Sequence, residues 1–310
     1  MFSRSDRIGL VFVLISVLGY SFLPVFTRHL LNDGVAPINI AVWRFALATP
    51  LFWLLTSLHR TADYAPCLPR WRLMTMGLFL AGAALTAFFG LQRLPAGTYV
   101  VIFYTYPAMV AIILLFLGER LSSWGWFALA LTLVGVALTA PDFSEGLSGD
   151  NLPGVLLALL NAALVAFYFV FSSRLLRGQT NLIRASAYAG TGALLALLVV
   201  GVAVGIALPP TPSAWVNLLL LASVSTVMPI FALFNGLQRL GAARAAVFGT
   251  IEPLLTSFLA LIFLGEMMAA VQWLGGIVIV ASVIILQTRG IPSRARAAAP
   301  STAPAALREP

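Results

Sequence analysis

The pentapeptide Gly-Leu-Gln-Arg-Leu occurs twice in this chain, at residues 90–94 and again at residues 236–240, 146 residues further on. A Leu-Gly-Glu tripeptide follows each copy, at 117–119 and at 264–266, and a proline lies between the two motifs both times. Two motifs and a proline that recur at nearly fixed spacing predict a tandem duplication. Because an internal duplication dictates the architecture, the rest of the chain is read in two halves.

The composition predicts an integral membrane protein. Of 310 residues, 61% are hydrophobic and only 9% are charged, whereas soluble domains contain roughly 25% charged residues. The chain has no lysine, so it lacks the Walker A motif of ATPases, and a single cysteine, Cys67, excludes an intrachain disulfide. No Cys/His cluster indicates a metal site, and no motif indicates a cofactor or an enzyme active site.

Apolar segments of about 20 residues, the length that spans a bilayer, occur ten times. Five segments in each half is an odd number, so the second half enters the membrane in the opposite sense, as in many secondary transporters. We therefore predict an all-α membrane protein of ten transmembrane helices, arranged as two five-helix repeats of inverted topology. The segments are 8–28, 37–58, 72–92, 97–117, 121–140, 153–173, 183–207, 215–238, 243–264 and 268–287.

The arginines support this topology. With a cytoplasmic N-terminus, fifteen arginines fall on the cytoplasmic side and two, Arg28 and Arg93, on the outer side. Such a bias follows the positive-inside rule. The sequence predicts an inner-membrane protein with both termini in the cytoplasm, so the basic residues set orientation and no nucleic-acid partner is expected.

The predicted domain boundaries follow from the repeat. Residues 1–140 form the first repeat, 141–152 an outer linker, 153–287 the second repeat, and 288–310 a disordered cytoplasmic tail rich in Pro, Ala, Ser and Arg. Residues 1–20 resemble a signal peptide but are followed by no small-x-small cleavage site, so they are expected to remain as the first helix.

Ionisable residues within apolar segments are costly and therefore informative, and two qualify: Arg44 and Glu252. Glu252 lies about nine residues into its segment, roughly 13 Å deep. Pro253 follows it and predicts a kink that exposes the carbonyl of Gly249. This arrangement suits a proton, a cation or a substrate amine. The alternative is a structural acid that pairs with Arg44 or hydrogen-bonds to a neighbouring helix.

Arg44 lies about seven residues, or roughly 10 Å, from the outer end of its segment. It suits bidentate binding of a substrate carboxylate or phosphate, and equally it suits snorkelling to the outer headgroups.

An aromatic face is predicted opposite Glu252. The repeat offset of 146 residues makes Tyr106 its equivalent, just before a second kinking proline, Pro107. Tyr99, Phe103 and Tyr106 are spaced i, i+4, i+7 and predict one wall of a pocket, although ordinary packing also explains such a face. Weaker polar candidates within segments are Tyr20, Asn161, Tyr168, Asn235 and Gln238.

Other features predict structure alone. Glu119 and Glu266 end equivalent segments and are interpreted as structural corner residues. Small residues four apart, Ala185, Ala189 and Ala193, predict close helix packing.

Several motifs together resemble the EamA-type branch of the drug/metabolite transporter superfamily. They are Arg44-Phe45, the Leu-Gly-Glu tripeptides after Pro107, and the Glu252-Pro253 pair. The resemblance covers residues 8–287 and implies a central cavity near the midplane, lined largely by the third, fourth, eighth and ninth helices. Members similar to this chain export amino acids and other small metabolites, or move nucleotide sugars, drugs or lipid-linked sugars. The second half has no equivalent of Arg44-Phe45.

We therefore predict a secondary transporter, and not an enzyme, that exports small polar or zwitterionic metabolites such as amino acids by alternating access. Its partners would be a small-molecule substrate and membrane lipid, and it is expected to be a monomer without a cofactor. A nucleotide-sugar or lipid-linked-sugar carrier and a multidrug exporter are alternatives within transport, and a non-transporting structural or receptor protein is an alternative outside it.

Overall fold

The structure of the chain is a computed structural model. It describes residues 4–58, 70–91, 93, 99, 102–119, 122–139, 152–179, 181–264 and 269–289.

The described residues are helical and contain no strand. In the first half the helices are α1 (Arg4–Ser21), α2 (Leu23–Asn32), α3 (Pro37–Leu58), α4 (Arg70–Leu91), α5 (Tyr106–Phe116) and α6 (Ser123–Thr139). In the second half they are α7 (Leu152–Leu175), α8 (Leu182–Val204), α9 (Pro212–Ala222), α10 (Met228–Leu240), α11 (Ala242–Gly249), α12 (Glu252–Leu264) and α13 (Ala270–Arg289). One π-helical turn, Ser223–Val227, joins α9 to α10 and is called the π segment below.

Five helical stretches among the described residues are long and apolar enough to cross a membrane: Arg4–Asn32, Pro37–Leu58, Leu152–Leu175, Leu182–Val204 and Pro212–Leu240. Three shorter apolar helices, Tyr106–Phe116, Ser123–Leu138 and Trp273–Ser282, accompany them. The protein is therefore an all-helical, multi-pass membrane protein. The count of ten spans and the inverted orientation of the halves stay predictions.

The outer surface of the bundle is apolar. Val199 and Val202 on α8 are 74% exposed, and so much exposed aliphatic surface is suited to contact with lipid. Inside, the largest fully buried side chains are aromatic, and they belong to both halves of the chain: Phe45, Phe52, Phe234 and Phe248.

Helices from the two halves pack directly against one another, α1 against α10, α4 against α7 and α8, and α6 against α13. The closest contact is between α4 and α8, where a Cβ on Gly77 would collide with the backbone of Ala189 and Ala193, and one on Gly192 with the backbone of Met74. We call this contact the α4–α8 seam. The predicted close packing of the small residues around Ala189 is thus confirmed, since only glycine allows two backbones to approach this far.

The first Leu-Gly-Glu motif ends helix α5. Gly118 has a left-handed conformation, with φ of +81°, and the amide of Glu119 donates to the carbonyl of Leu114. This is the usual way in which a glycine terminates a helix. Glu119 then lies 3.5 Å from Arg174 at the end of α7, an ion pair that agrees with a structural role.

Some predictions fall outside the described residues. They concern Glu266, Cys67, nearly all of the linker 141–152 and nearly all of the tail 288–310.

Candidate functional site

Two helices of the chain begin at equivalent positions, each next to a repeated proline. Helix α5 begins at Tyr106 with Pro107 second, and helix α12 begins at Glu252 with Pro253 second. The sequence predicts kinks here, and the structure differs: each proline lies in the first turn of a new helix. The reason is physical, because a proline lacks an N–H group that the first turn of a helix does not use.

A threonine turn precedes each of these helix starts. The amide and the hydroxyl of Thr105 both donate to the carbonyl of Ile102, at 3.2 and 2.6 Å. Thr250 repeats this pattern with the carbonyl of Val247, at 3.2 and 2.6 Å. We call these turns, together with the following helix starts, the Tyr106 break and the Glu252 break. Discontinuous helices of this kind are where many transporters bind substrate.

The two breaks contact each other. The hydroxyl of Tyr106 donates a 3.2 Å hydrogen bond to the carbonyl of Ala246 in α11. In a continuous helix that carbonyl would accept from residue 250, but the amide of Thr250 bonds Val247 instead. A Cβ on Gly249 would lie 2.6 Å from the same hydroxyl, so the absence of a side chain at Gly249 allows this contact.

A cavity of about 210 Å³ lies beside the two breaks, and residues from both halves of the chain line it. Four of the residues predicted to bind substrate line this cavity: Arg44, Phe103, Tyr106 and Glu252. Most of its wall is aliphatic or aromatic. The aromatic part is continuous, since ring centroids of Phe103 and Tyr106, and of Tyr106 and Phe169, lie 5.4 Å apart.

Glu252 brings a carboxyl group to the cavity wall. No hydrogen-bond or ion-pair partner for this carboxyl group lies among the described residues, and Arg44 is not within ion-pairing distance of it. The alternative of an Arg44–Glu252 structural pair is therefore not what the structure shows. Tyr20 is another residue that lines the same cavity. An acid kept in an apolar setting without a protein partner is suited to binding a cation.

Arg44 is held by the π segment, and its side chain turns inward to the cavity rather than outward to the headgroups. Its Nε donates to the hydroxyl of Thr226 at 2.6 Å, and its Nη2 donates to the carbonyl of Ser225 at 3.0 Å. The guanidinium also lies over the ring of Phe45, 5.4 Å from its centroid. These two bonds use two of five N–H donors, so the group retains donors for a carboxylate.

The π segment is the functional element that the sequence analysis missed. The hydroxyl of Thr226 donates to the carbonyl of Leu221, five residues earlier, and the hydroxyl of Ser225 donates to the carbonyl of Gly19 in α1. Single π turns inside helices are frequent at functional sites. The available signal was the polar run Ser223–Thr226 within an otherwise apolar segment.

Tyr99 does not line the cavity, although it was predicted with Phe103 and Tyr106 as one wall. Its hydroxyl accepts a hydrogen bond from the side-chain amide of Asn161 at 2.5 Å, and its ring stacks on Phe103 at 6.5 Å. Asn161 itself lines the cavity, as do Tyr168 on the same helix and Tyr20, so three of the weaker candidates belong to the site. Asn235 and Gln238 bond to Arg239 and to backbone carbonyls instead.

Among the residues that the structure describes, no group of three or more His, Cys, Asp or Glu side chains is placed to hold a metal ion. The chemistry of the cavity is that of one carboxyl group, one guanidinium, phenols and an amide. These groups are suited to binding a small molecule through charge and hydrogen bonds.

An all-helical membrane protein with such a cavity between its halves has the arrangement of a solute transporter. A family model described as the EamA-like transporter family matches residues 7–140 and again residues 152–288. The chain belongs to this family, and it is a multi-pass membrane transporter rather than an enzyme.

The relatives agree with this assignment. The chain is 28% identical over 287 residues to the uncharacterized transporter YcbK of Bacillus subtilis (strain 168), covering 88% of this chain and 90% of that protein. It is 22% identical to an uncharacterized transporter of Archaeoglobus fulgidus, covering 91% and 97%. A solved crystal structure superposes with a TM-score of 0.76 at 20% identity, covering 91% of this chain and 96% of its own, which shows a shared fold.

Proposed function

We propose that this transporter exports small zwitterionic metabolites, amino acids or related compounds, by alternating access at the cavity beside the two breaks. The observation that carries the proposal is that one cavity is lined both by a carboxyl group with no partner among the described residues and by a guanidinium that uses only two of its five donors. Glu252 binds the substrate ammonium or a coupling proton, and Arg44 binds the carboxylate. Phe103 and Tyr106 enclose the substrate, while Tyr99 positions Asn161.

A single basic residue disfavours the alternative of a nucleotide-sugar or lipid-linked-sugar carrier. A diphosphate carries more than one negative charge, and of the described residues that line the cavity only Arg44 is basic. The alternative of a multidrug exporter remains, because apolar and aromatic walls would also accept a hydrophobic organic cation. The counterflow experiment described below tests it as well.

We further propose that the protein lies in the inner membrane as a monomer with both termini in the cytoplasm. The support is the fifteen-to-two distribution of arginines and the ion pairs Asp6–Arg244 and Glu119–Arg174, all four residues of which lie at the predicted cytoplasmic face.

The test is counterflow in proteoliposomes, with labelled amino acids, their decarboxylated amines, nucleotide sugars and hydrophobic cations. Wild-type protein should exchange at least one amino acid, and exchange the matching amine less well because the amine does not engage Arg44. Glu252→Gln should lower exchange by a factor of about 30 or more, since loss of one partner of a buried charge pair costs roughly 2–5 kcal/mol. Its remaining exchange should also lose any dependence on pH.

The matched control is Glu119→Gln, which removes an acid that is paired with Arg174 away from the cavity. It should exchange at the wild-type rate. Wild-type exchange of nucleotide sugars or hydrophobic cations alone would replace the zwitterion proposal, and full activity of Glu252→Gln would refute the role given to the acid.

A further inference from the structure

Two polar atoms of the cavity residues have no hydrogen-bond partner among the described residues, and both belong to helix α7. They are the side-chain oxygen of Asn161 and the hydroxyl of Tyr168. Asn161 is 4% exposed and Tyr168 is 3% exposed, and both residues line the cavity. Because they are seven residues apart, they lie two helical turns apart on the same face of α7.

Buried polar atoms are nearly always hydrogen-bonded, since an unpaired one has lost its water without compensation. The neighbouring groups of the wall do not supply the missing bonds. The rings nearest Tyr168 are those of Phe169 and Phe234, at 6.3 and 6.1 Å between centroids, and neither carries a polar atom. Because both residues line the cavity, a group that enters it can supply the missing bonds.

Tyr99 fixes the amide of Asn161. The amide donates from its nitrogen to the hydroxyl of Tyr99, which leaves the oxygen as an acceptor. If the amide is turned over, the Tyr99 hydroxyl donates to the oxygen and the nitrogen becomes the unpaired donor. In either orientation one polar atom of Asn161 remains for a ligand.

The group that completes these bonds is uncharged. Arg44 and Glu252 are the base and the acid among the described lining residues, and the proposed function assigns Arg44 to the carboxylate and Glu252 to the ammonium of the substrate. The wall near Asn161 and Tyr168 includes Val165 and Phe169, which offer no charge to balance a third ionised group.

We propose that Asn161 and Tyr168 form a side-chain subsite that selects substrates with a hydroxyl or carboxamide group. This inference rests on the proposed function, and it narrows the substrate class to zwitterions with a neutral polar side chain. A hydroxyl or a carboxamide both donates and accepts, so it complements the phenol and either orientation of the amide. A site with unpaired polar atoms rejects an analogue that lacks the matching group, because the atoms then stay unpaired.

The experiment compares pairs of amino acids with nearly the same shape. Counterflow of asparagine is measured against leucine, and of threonine against valine, in the same proteoliposomes. Wild-type protein should exchange the polar member of at least one pair tenfold or more faster. Asn161→Leu, which keeps the shape of the side chain, and Tyr168→Phe, which removes one oxygen, should each bring that ratio to within threefold of one.

The matched control is Ser172→Ala. Ser172 also lies on α7 and also has a buried hydroxyl without a partner, but it does not line the cavity. Its removal should leave the polar-to-apolar ratio unchanged. Because each ratio is taken within one protein sample, a lower yield of folded protein does not change it. If Asn161→Leu does not fold, Tyr168→Phe alone tests the subsite.

The outcomes separate the two proposals. If wild-type protein exchanges amino acids without preferring the polar member, or if both variants keep the wild-type ratio, the subsite is overturned while the proposed function stands. Such a result is expected where water alone completes the bonds of Asn161 and Tyr168. If wild-type protein exchanges no zwitterion, both proposals fall.

Discussion

The Tyr106 break and the Glu252 break share a backbone design and differ in the side chain that begins the new helix. Both use a threonine that bonds the carbonyl three residues earlier, and both place a proline second in the helix that follows. The first break presents a phenol that bonds the backbone of α11, whereas the second presents a carboxyl group with no described hydrogen-bond partner. The comparison shows that the same backbone arrangement, a threonine turn followed by a helix with proline second, serves two purposes. In the first half it places an aromatic side chain in the cavity wall, and in the second half it places the carboxyl group that we propose binds substrate.

After Glu252→Gln, the largest expected effect comes from separating the two breaks. Gly249→Ala places a Cβ 2.6 Å from the Tyr106 hydroxyl, a distance that forces one break away from the other. We expect counterflow to fall about tenfold or more, because a small displacement at a binding site has a large effect on rate. The second variant, Gly249→Ala with Tyr106→Phe, removes the colliding oxygen and leaves the next atom at 3.9 Å.

The double variant should recover to within about threefold of wild type, which a double-mutant cycle measures as a favourable coupling. A Gly249→Ala protein with wild-type counterflow would show that the close contact between the breaks is unimportant. Failure of Tyr106→Phe to restore activity would show that the alanine acts elsewhere.

A matched pair of substitutions tests whether the two breaks differ in function. Thr105→Val and Thr250→Val each remove one hydroxyl-to-carbonyl bond and keep the shape of the side chain. Each should lower the free energy of unfolding by about 1 kcal/mol. Counterflow should fall about fivefold in Thr250→Val alone, since only that turn orients a carboxyl group. Equal losses of transport in both variants would contradict the division of roles.

The smallest expected effect is that of Tyr106→Phe alone. The variant loses one 3.2 Å hydrogen bond to the carbonyl of Ala246 and keeps the ring that packs on Phe103. We expect a loss of about 0.5–1.5 kcal/mol in stability, seen as a lower Tm, and counterflow within about threefold of wild type. A loss as large as that of Glu252→Gln would mean that the phenol takes part in binding.

Sequence reasoning located the breaks because their signals are local. An acid and an arginine within apolar segments are rare enough to be noticed, and the repeat offset of 146 residues leads from Glu252 to Tyr106. Proline alone, however, does not distinguish a kinked helix from a new one. That depends on the turns at Thr105 and Thr250, whose hydrogen bonds a hydropathy pattern does not contain.

The parts of the site that were missed depend on contacts between distant segments. Arg44 and Thr226 are 182 residues apart, and the polar residues of the π segment do not by themselves predict a π turn. Asn161 was only a weak candidate because polar residues often join helices. Its importance follows from a bond to Tyr99, 62 residues away, that satisfies half of its amide and leaves the other half without a partner among the described residues.

The α4–α8 seam affects how far lipid tails compete with helix packing in this protein. Most of the bundle surface is apolar, and a lipid tail covers an apolar helix face as well as a neighbouring helix does. Hydropathy therefore does not distinguish a face that contacts lipid from one that contacts another helix. The seam differs because backbone touches backbone at Gly77 and Gly192, and the gap is too narrow for a methylene chain. Acyl chains and detergent tails compete for exposed apolar faces but cannot enter there. One of the contacts that hold the two halves together is thereby protected by its geometry from the lipid around it.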